Sequence, residues 1–153
     1  MNETRKYIYV IHKHAATHLH YDLRLEMNGV LKSWALPKEP TKYPTDRRLA
    51  IAVEDHQVGY EKFEGVIPEG EYGAGKVEIW DSGEYGFVEQ TPGKYVIEIR
   101  GKIIQGAYCL IKLKPGSKID KNWLFFKKSD RKEIPRRKST QKLKVIPASI
   151  PLI

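Results

Sequence analysis

Between Leu19 and Glu26 the chain alternates without a break, Leu-His-Tyr-Asp-Leu-Arg-Leu-Glu, and only an extended strand keeps such a pattern in order. Successive strand side chains point to opposite faces. Leu19, Tyr21, Leu23 and Leu25 therefore share one side, and His18, His20, Asp22, Arg24 and Glu26 share the other. The first set is an ordinary core face. The second lines up imidazoles, carboxylates and a guanidinium where a solvent face would more often carry Thr, Lys, Glu and Ser. The same period recurs along the chain. Candidate strands are Tyr7–Ile11, Leu19–Glu26, Val30–Leu36, Arg48–Glu54, Lys76–Trp80, Tyr95–Arg100, Ala107–Leu113 and Trp123–Lys127. Turn signals separate them: Asn28-Gly29 first, a strong hairpin signal, then Asp81-Ser82-Gly83, Pro92-Gly93 and Pro115-Gly116. No stretch of ten or more residues carries an apolar stripe at helical spacing. The pattern predicts a mainly β fold: a single compact antiparallel β-barrel of about eight strands with little helix, closure also removing the exposed sheet edges.

The composition agrees. A chain of 153 residues, 41% of them hydrophobic, is one domain able to bury a core. Three Trp, nine Tyr and four Phe exclude wholesale disorder. No apolar run approaches the roughly 18 residues of a membrane span, and the five apolar residues before His12 are too few for a secretory signal. With a lone Cys109 that cannot close an internal disulfide, these features predict a cytoplasmic protein without a membrane partner. The net charge of +8 is uneven, because the segment from Arg131 onward holds seven basic residues and one acid. We expect a barrel domain over 1–130 and a basic C-terminal extension over 131–153. The extension would contact a nucleic-acid backbone or a partner, or cap the barrel through Val145, Ile146, Ile150, Leu152 and Ile153; a merely solvated end is the plainer alternative.

The polar face of the second strand carries chemistry. Residues i and i+2 of a strand lie about 6.5–7 Å apart, so His20 and Asp22 can converge on one cation. His14 joins them if residues 14–17 form a turn. Two imidazoles and one carboxylate leave coordination positions open and suit Mn, Fe, Co or Zn better than Ca or Mg. Arg24, next on the same face, would grip an anion in a bidentate fork. A polar face satisfied by its own hydrogen bonds is the competing explanation. Downstream, His56 and Tyr60 can both donate to a phosphoryl oxygen, and His56 can protonate a leaving alkoxide, although Tyr60 taken alone reads better as a packed aromatic. The segment from Glu64 to Gly75 holds four glycines but no GK[ST] ending, and it is acidic; it reads as a sharply turned connection, not a phosphate cradle.

Taken together, these motifs resemble a known family. His12-Lys13-His14-Ala15-Ala16-Thr17-His18-Leu19-His20-Tyr21-Asp22-Leu23-Arg24-Leu25-Glu26 is similar to the signature of the 3'-phosphoesterase module of bacterial ATP-dependent DNA ligase D. The runs Gly29 to Lys38, Ala52 to His56, Glu64 to Gly75 and Asn122 to Lys128 extend the likeness over roughly residues 7–130. The resemblance implies a manganese-dependent hydrolase, other divalent transition metals being alternatives. It would remove a 3'-terminal ribonucleoside as a phosphodiesterase, then the 3'-phosphate as a phosphomonoesterase, leaving a 3'-OH for repair by non-homologous end joining. Matched residue by residue, its metal ligands fall on His14, His20 and Asp22. Its phosphate-binding groups fall on Arg24, His56 and Tyr60, with Arg48 and Lys38 at further family positions. His12 stands where some relatives carry Gln. The chain has no Lys-x-Asp-Gly ligase motif and no polymerase module. The resemblance therefore implies a freestanding monomer acting on DNA or RNA 3' ends at a primer–template, with a DNA ligase or polymerase as a separate partner. Two other readings fit parts of the sequence. An iron-dependent oxygenase would use His20, Asp22 and His56 as a facial triad. A non-catalytic nucleic-acid-binding barrel would rely on the basic tail and exposed aromatics.

Overall fold

The computed structural model describes residues 5–129. Nine strands in chain order form one antiparallel sheet: β1 Tyr7–Ala15, β2 Leu19–Met27, β3 Val30–Leu36, β4 Arg48–Gln57, β5 Gly65–Ile67, β6 Gly75–Thr91, β7 Lys94–Gly101, β8 Gln105–Lys112 and β9 Asn122–Lys127. Neighbours run β1-β2-β3-β4-β9-β8-β7-β6, and β6 pairs back onto β1, so eight strands close a barrel with β5 added along β6. Among the described residues helix is confined to one 3-10 turn at Tyr60–Lys62. The expected mainly β barrel is what forms. Among the described residues no helix is long and apolar enough to cross a membrane. The extension over 131–153, with its apolar end, lies outside the described residues.

The period-2 pattern sorts each strand between lumen and exterior. Tyr9, Ile11, Tyr21, Leu23, Leu25, Trp34, Leu36, Tyr85, Ile97, Ile99, Tyr108 and Phe125 form the buried cluster inside the barrel. Each large apolar side chain removed from water contributes roughly 1.5–3 kcal/mol before entropy is counted. Leu19 departs from its face, 47% exposed, because it opens β2 at the tip of the β1–β2 hairpin where no barrel wall stands opposite. Glu26 also parts from the polar row: its carboxylate accepts the Ile8 amide at the other end of the hairpin.

Three local expectations are corrected. Asp81-Ser82-Gly83 does not reverse the chain; β6 runs straight through it for 17 residues. Ile11 pairs with Asp81 and His12 with Ile79, leaving Trp80 as the extra residue of a bulge. The small, polar residues mark a bend where backbones crowd, since a Cβ on Gly83 would collide with the Arg100 carbonyl. Strand β1 continues past Ile11 to Ala15, carrying His12 and His14 into the sheet. The glycine-rich connection contains β5, whose three residues are too few to display a period.

That connection positions the functional face. The 3-10 turn, β5 and the loop to Gly75 fold over the outside of the β1–β2 hairpin. His12 Nε2 meets the Phe63 carbonyl at 3.1 Å, and His14 Nε2 meets the Gly73 carbonyl at 2.7 Å. Gly75 permits the return into β6, where φ is +128° and any Cβ would strike the Ala15 carbonyl oxygen. The polar outer face of the hairpin is thereby buried without entering the barrel core.

Candidate metal and phosphate site

The hairpin register assembles the first three groups. A turn over residues 16–18 joins β1 to β2, and the pairing sets His14 opposite His20, His12 opposite Asp22 and Val10 opposite Arg24. His14 thus reaches the site as a cross-strand partner within β1, not by folding back through a turn over 14–17. Cross-strand pairs have Cβ atoms about 4.5–5.5 Å apart, close enough for two imidazoles to share a ligand. One ligand atom from each of His14, His20 and Asp22 lies within 4.8 Å of the other two. Asp22 Oδ2 is 3.4 Å from His14 Nδ1, and Asp22 Oδ1 is 3.4 Å from His20 Nε2.

The outer nitrogens fix the inner ones. His14 Nε2–H donates to the Gly73 carbonyl at 2.7 Å and His20 Nδ1–H donates to the His18 carbonyl at 3.0 Å. In the neutral rings this leaves the lone pairs of His14 Nδ1 and His20 Nε2 directed at Asp22. Two imidazole lone pairs and a carboxylate, each oriented from behind by a backbone group, suit a divalent transition-metal ion. In the ion-free protein, the hydrogen bond to Asp22 raises the pKa of His20 against the opposing effect of burial. Burial pushes the Asp22 carboxyl up, yet the hydrogen bond from His20 and the charges of Arg24, His20 and His14 outweigh it and hold it below its usual value.

Arg24 adjoins this cluster and is 4% exposed. Its Nε donates to His12 Nδ1 at 3.0 Å, Nη1 to Ser33 Oγ at 2.9 Å and to His56 Nδ1 at 3.1 Å, and Nη2 to Asp22 Oδ2 at 3.4 Å. Four of the five guanidinium hydrogens are therefore engaged. The fork expected for an anion is positioned, but an anion gripped through two nitrogens must displace a partner. Burial, opposed chiefly by Asp22, lowers the pKa of Arg24, which stays charged.

His56, one residue before the end of β4, pairs with Leu31 past a bulge, and its Nδ1 lies 3.1 Å from Arg24 Nη1. Gly59, with φ of +115°, turns the chain into the 3-10 turn and sets Tyr60 beside it. The His56 and Tyr60 rings lie 4.6 Å apart, and Arg24 Cζ sits 5.0 Å from the Tyr60 ring centre. Tyr60 also stacks on Phe63 at 5.2 Å, so it is both packed and at the site. Burial and the Arg24 charge push His56 below its ordinary pKa. His56 Nδ1 lies 3.1 Å from Arg24 Nη1 and 3.2 Å from the Glu54 carbonyl; in the neutral tautomer that accepts from Arg24, the ring presents Nε2–H, a hydrogen-bond donor rather than a ready proton source.

These groups line a cavity of about 520 Å³ that contains His14, His20, Asp22, Arg24, His56 and Tyr60. Lys38 and Arg48 do not line it. Lys38 is exposed at the start of the β3–β4 connection, and Arg48 Nε donates to the Glu39 carbonyl at 2.7 Å beside a separate groove.

Residues 12–112 match the family described as the DNA Ligase D 3'-phosphoesterase domain, a span holding every site residue named above. The chain belongs to this family. Relatives include a protein of Mycolicibacterium smegmatis named multifunctional non-homologous end joining protein LigD, 41% identical over 135 residues and 81% of this chain. A protein of the same name from Pseudomonas aeruginosa is 41% identical over 127 residues, or 80% of this chain. The multifunctional non-homologous end joining DNA repair protein LigD of Mycobacterium tuberculosis H37Rv is 47% identical over 108 residues, or 68% of this chain. The chain spans only 17%, 15% and 14% of these relatives' own lengths, so each carries much besides the 3'-phosphoesterase module.

Within this 3'-phosphoesterase module the structure adds residues that sequence reasoning passed over. His12 is fully buried, accepts from Arg24 and donates to Phe63; burial and then Arg24 push its pKa down to about 4, keeping the ring neutral. Its signal is legible, since His12 and His14 repeat the i, i+2 spacing of His20 and Asp22, but the apolar run that marks β1 in the sequence stops at Ile11. Ser33 relays from Arg24 to the Leu31 carbonyl, and Glu71 and Tyr72 of the glycine-rich loop line the cavity. No local pattern marks these last three: the β2–β3 register sets Ser33 opposite Arg24, and the overlying loop brings in Glu71 and Tyr72.

Proposed function

We propose that this chain is a manganese-dependent phosphoesterase acting on DNA or RNA 3' ends. It removes a terminal ribonucleoside to leave a 3'-phosphate, then removes that phosphate to leave a 3'-hydroxyl. The observation that carries the proposal is the adjacency of His14, His20 and Asp22, mutually within 4.8 Å, to a buried guanidinium flanked by His56 and Tyr60. Membership of the 3'-phosphoesterase family supports it. Relatives named for non-homologous end joining point to end processing before extension or sealing.

A divalent ion held by His14, His20 and Asp22 would supply Lewis-acid polarisation of a phosphoryl oxygen. The remaining work falls to the chain. Arg24 places a positive charge beside the phosphoryl group, where a low-dielectric site strengthens it as negative charge accumulates. His56 Nε2–H and the Tyr60 hydroxyl are placed to donate to other phosphoryl oxygens. His12 and Ser33 hold the guanidinium in its plane. In each step water adds to phosphorus, one P–O ester bond breaks and the departing oxygen takes up a proton. For the first step that oxygen belongs to the terminal nucleoside; for the second it is the 3'-oxygen of the strand.

The test uses 5'-labelled primer–templates, one ending in a single ribonucleotide and one in a 3'-phosphate, incubated with manganese, with chelator and with His20→Ala protein. Metal-dependent conversion of both, lost in the variant, is expected. No conversion of either primer under any divalent metal would overturn the proposal.

A further inference from the structure

The catalytic cavity opens past His56, Tyr60 and Tyr72 into a second groove of about 540 Å³, and these three residues line both. We infer that this groove is the subsite for the departing terminal nucleoside, with the Tyr72 ring as the platform on which its base stacks. The inference rests on the phosphoesterase function proposed above and adds the place where that substrate's last residue sits.

Charge decides which part of a substrate fits. The described residues lining the groove include Glu54 and Asp55 and no lysine or arginine. Lys32 partly matches Asp55 at 3.1 Å, while the nearby Glu61 carboxylate is turned onto the Gly59 amide at 2.7 Å. An acidic channel repels a polynucleotide, which carries one phosphate per residue. A terminal nucleoside bears no phosphate beyond the one being cleaved, so it enters without that repulsion, and carboxylates can accept from its ribose hydroxyls.

Shape and surface point the same way. Tyr72 is 75% exposed on the glycine-rich loop, a large aromatic face left open at the junction of cavity and groove. Val58, 45% exposed, adds an apolar patch further along. An exposed ring beside a phosphate site is the usual platform for an unpaired base and accepts any base, because every base has a π-face.

The test separates binding from turnover. A primer ending in a 2-aminopurine ribonucleotide is mixed with protein in chelator, and its fluorescence is followed for wild type, Tyr72→Ala and Tyr72→Phe. Quenching is expected for wild type and Tyr72→Phe and lost in Tyr72→Ala. With manganese restored, Tyr72→Ala should lower kcat/KM for ribonucleoside removal about tenfold relative to 3'-phosphate removal, where no departing nucleoside exists. Equal losses in both steps, or quenching that survives Tyr72→Ala, would overturn the inference while leaving the phosphoesterase function standing. Tyr72-dependent quenching in a protein that processes neither primer would leave a nucleoside-binding groove and overturn both the phosphoesterase function and the departing-group role.

Discussion

Asp22 and Asp81 are both buried carboxylates on this barrel, 5% and 3% exposed, yet their surroundings differ in kind. Asp81 is saturated by neutral donors at short range. It accepts the Tyr9 hydroxyl at 2.8 Å and the amides of Lys102, Ile103 and Ile104 at 2.8, 2.9 and 2.9 Å. Those bonds tie the β6 bulge to the β7–β8 turn, and a Cβ on Gly101 would meet the carboxylate. Asp22 has no close neutral donor. It faces His14, His20 and Arg24, each at 3.4 Å, too long for strong hydrogen bonds. A carboxylate wrapped in amides is finished structure. One held at a distance by two oriented imidazoles and a guanidinium is left with room for the metal ion proposed above. Burial does not separate the two roles; the chemistry and length of the contacts do.

Substitution at the two carboxylates should move different observables. Asp22→Asn and His20→Ala remove a proposed metal ligand, and removing a metal's supporting group alone typically costs 10–100-fold. A larger loss is expected here, at least about 10²-fold in both manganese affinity and hydrolysis, read by calorimetry and the primer assay. Unchanged manganese binding in both variants would break the comparison. Arg24→Lys should lower the rate about 10²-fold with less effect on manganese affinity, because an ammonium cannot serve His12, Ser33, His56 and Asp22 together. Equal activity of the lysine variant would show that only the charge matters.

Asp81→Asn should act on stability. Its amide group turns donors toward backbone N–H groups, and each unsatisfied buried donor costs about 1–3 kcal/mol. A loss of about 2–3 kcal/mol in urea unfolding is expected, greater than for Asp22→Asn measured in chelator, with near-normal turnover of the folded fraction. If Asp22→Asn proved the more destabilising, Asp22 would be the structural carboxylate. The smallest effect concerns pH. Burial pushes the Tyr108 phenol up to about 12, and Tyr9 and Tyr85 higher still. The native state then holds protons that the unfolded chain releases, so stability is full below the ordinary value of 10.0 and falls as pH rises toward about 12. Phenolate absorbance should appear for these three only with unfolding; free titration in the native state would show them reachable by water.

What was legible in the sequence follows from strand geometry. A period of two is local, so Leu19–Glu26 disclosed both the core face and the row His20, Asp22, Arg24. The Asn28-Gly29 turn disclosed the β2–β3 hairpin, and both residues take positive φ there. His14, His56 and Tyr60 were candidates on their residue types and positions, and the family likeness matched all three to the same site. The rest depended on distance along the chain. Whether Asp81-Ser82-Gly83 turns or bends is decided by the backbone of residues 100–104, which crowds it from β7 and the following turn. Which nitrogen of His14 is free is decided by the Gly73 carbonyl, 59 residues away. The engaged state of the Arg24 fork is decided by His12, Ser33 and His56 on three different strands. Side-chain alternation is set by the backbone within a few residues, and so the chain by itself determined which groups share a face. Hydrogen-bond partners, tautomers and the wall of the cavity are set by contacts between segments far apart in sequence, and only barrel closure and the folded-over loop decided them.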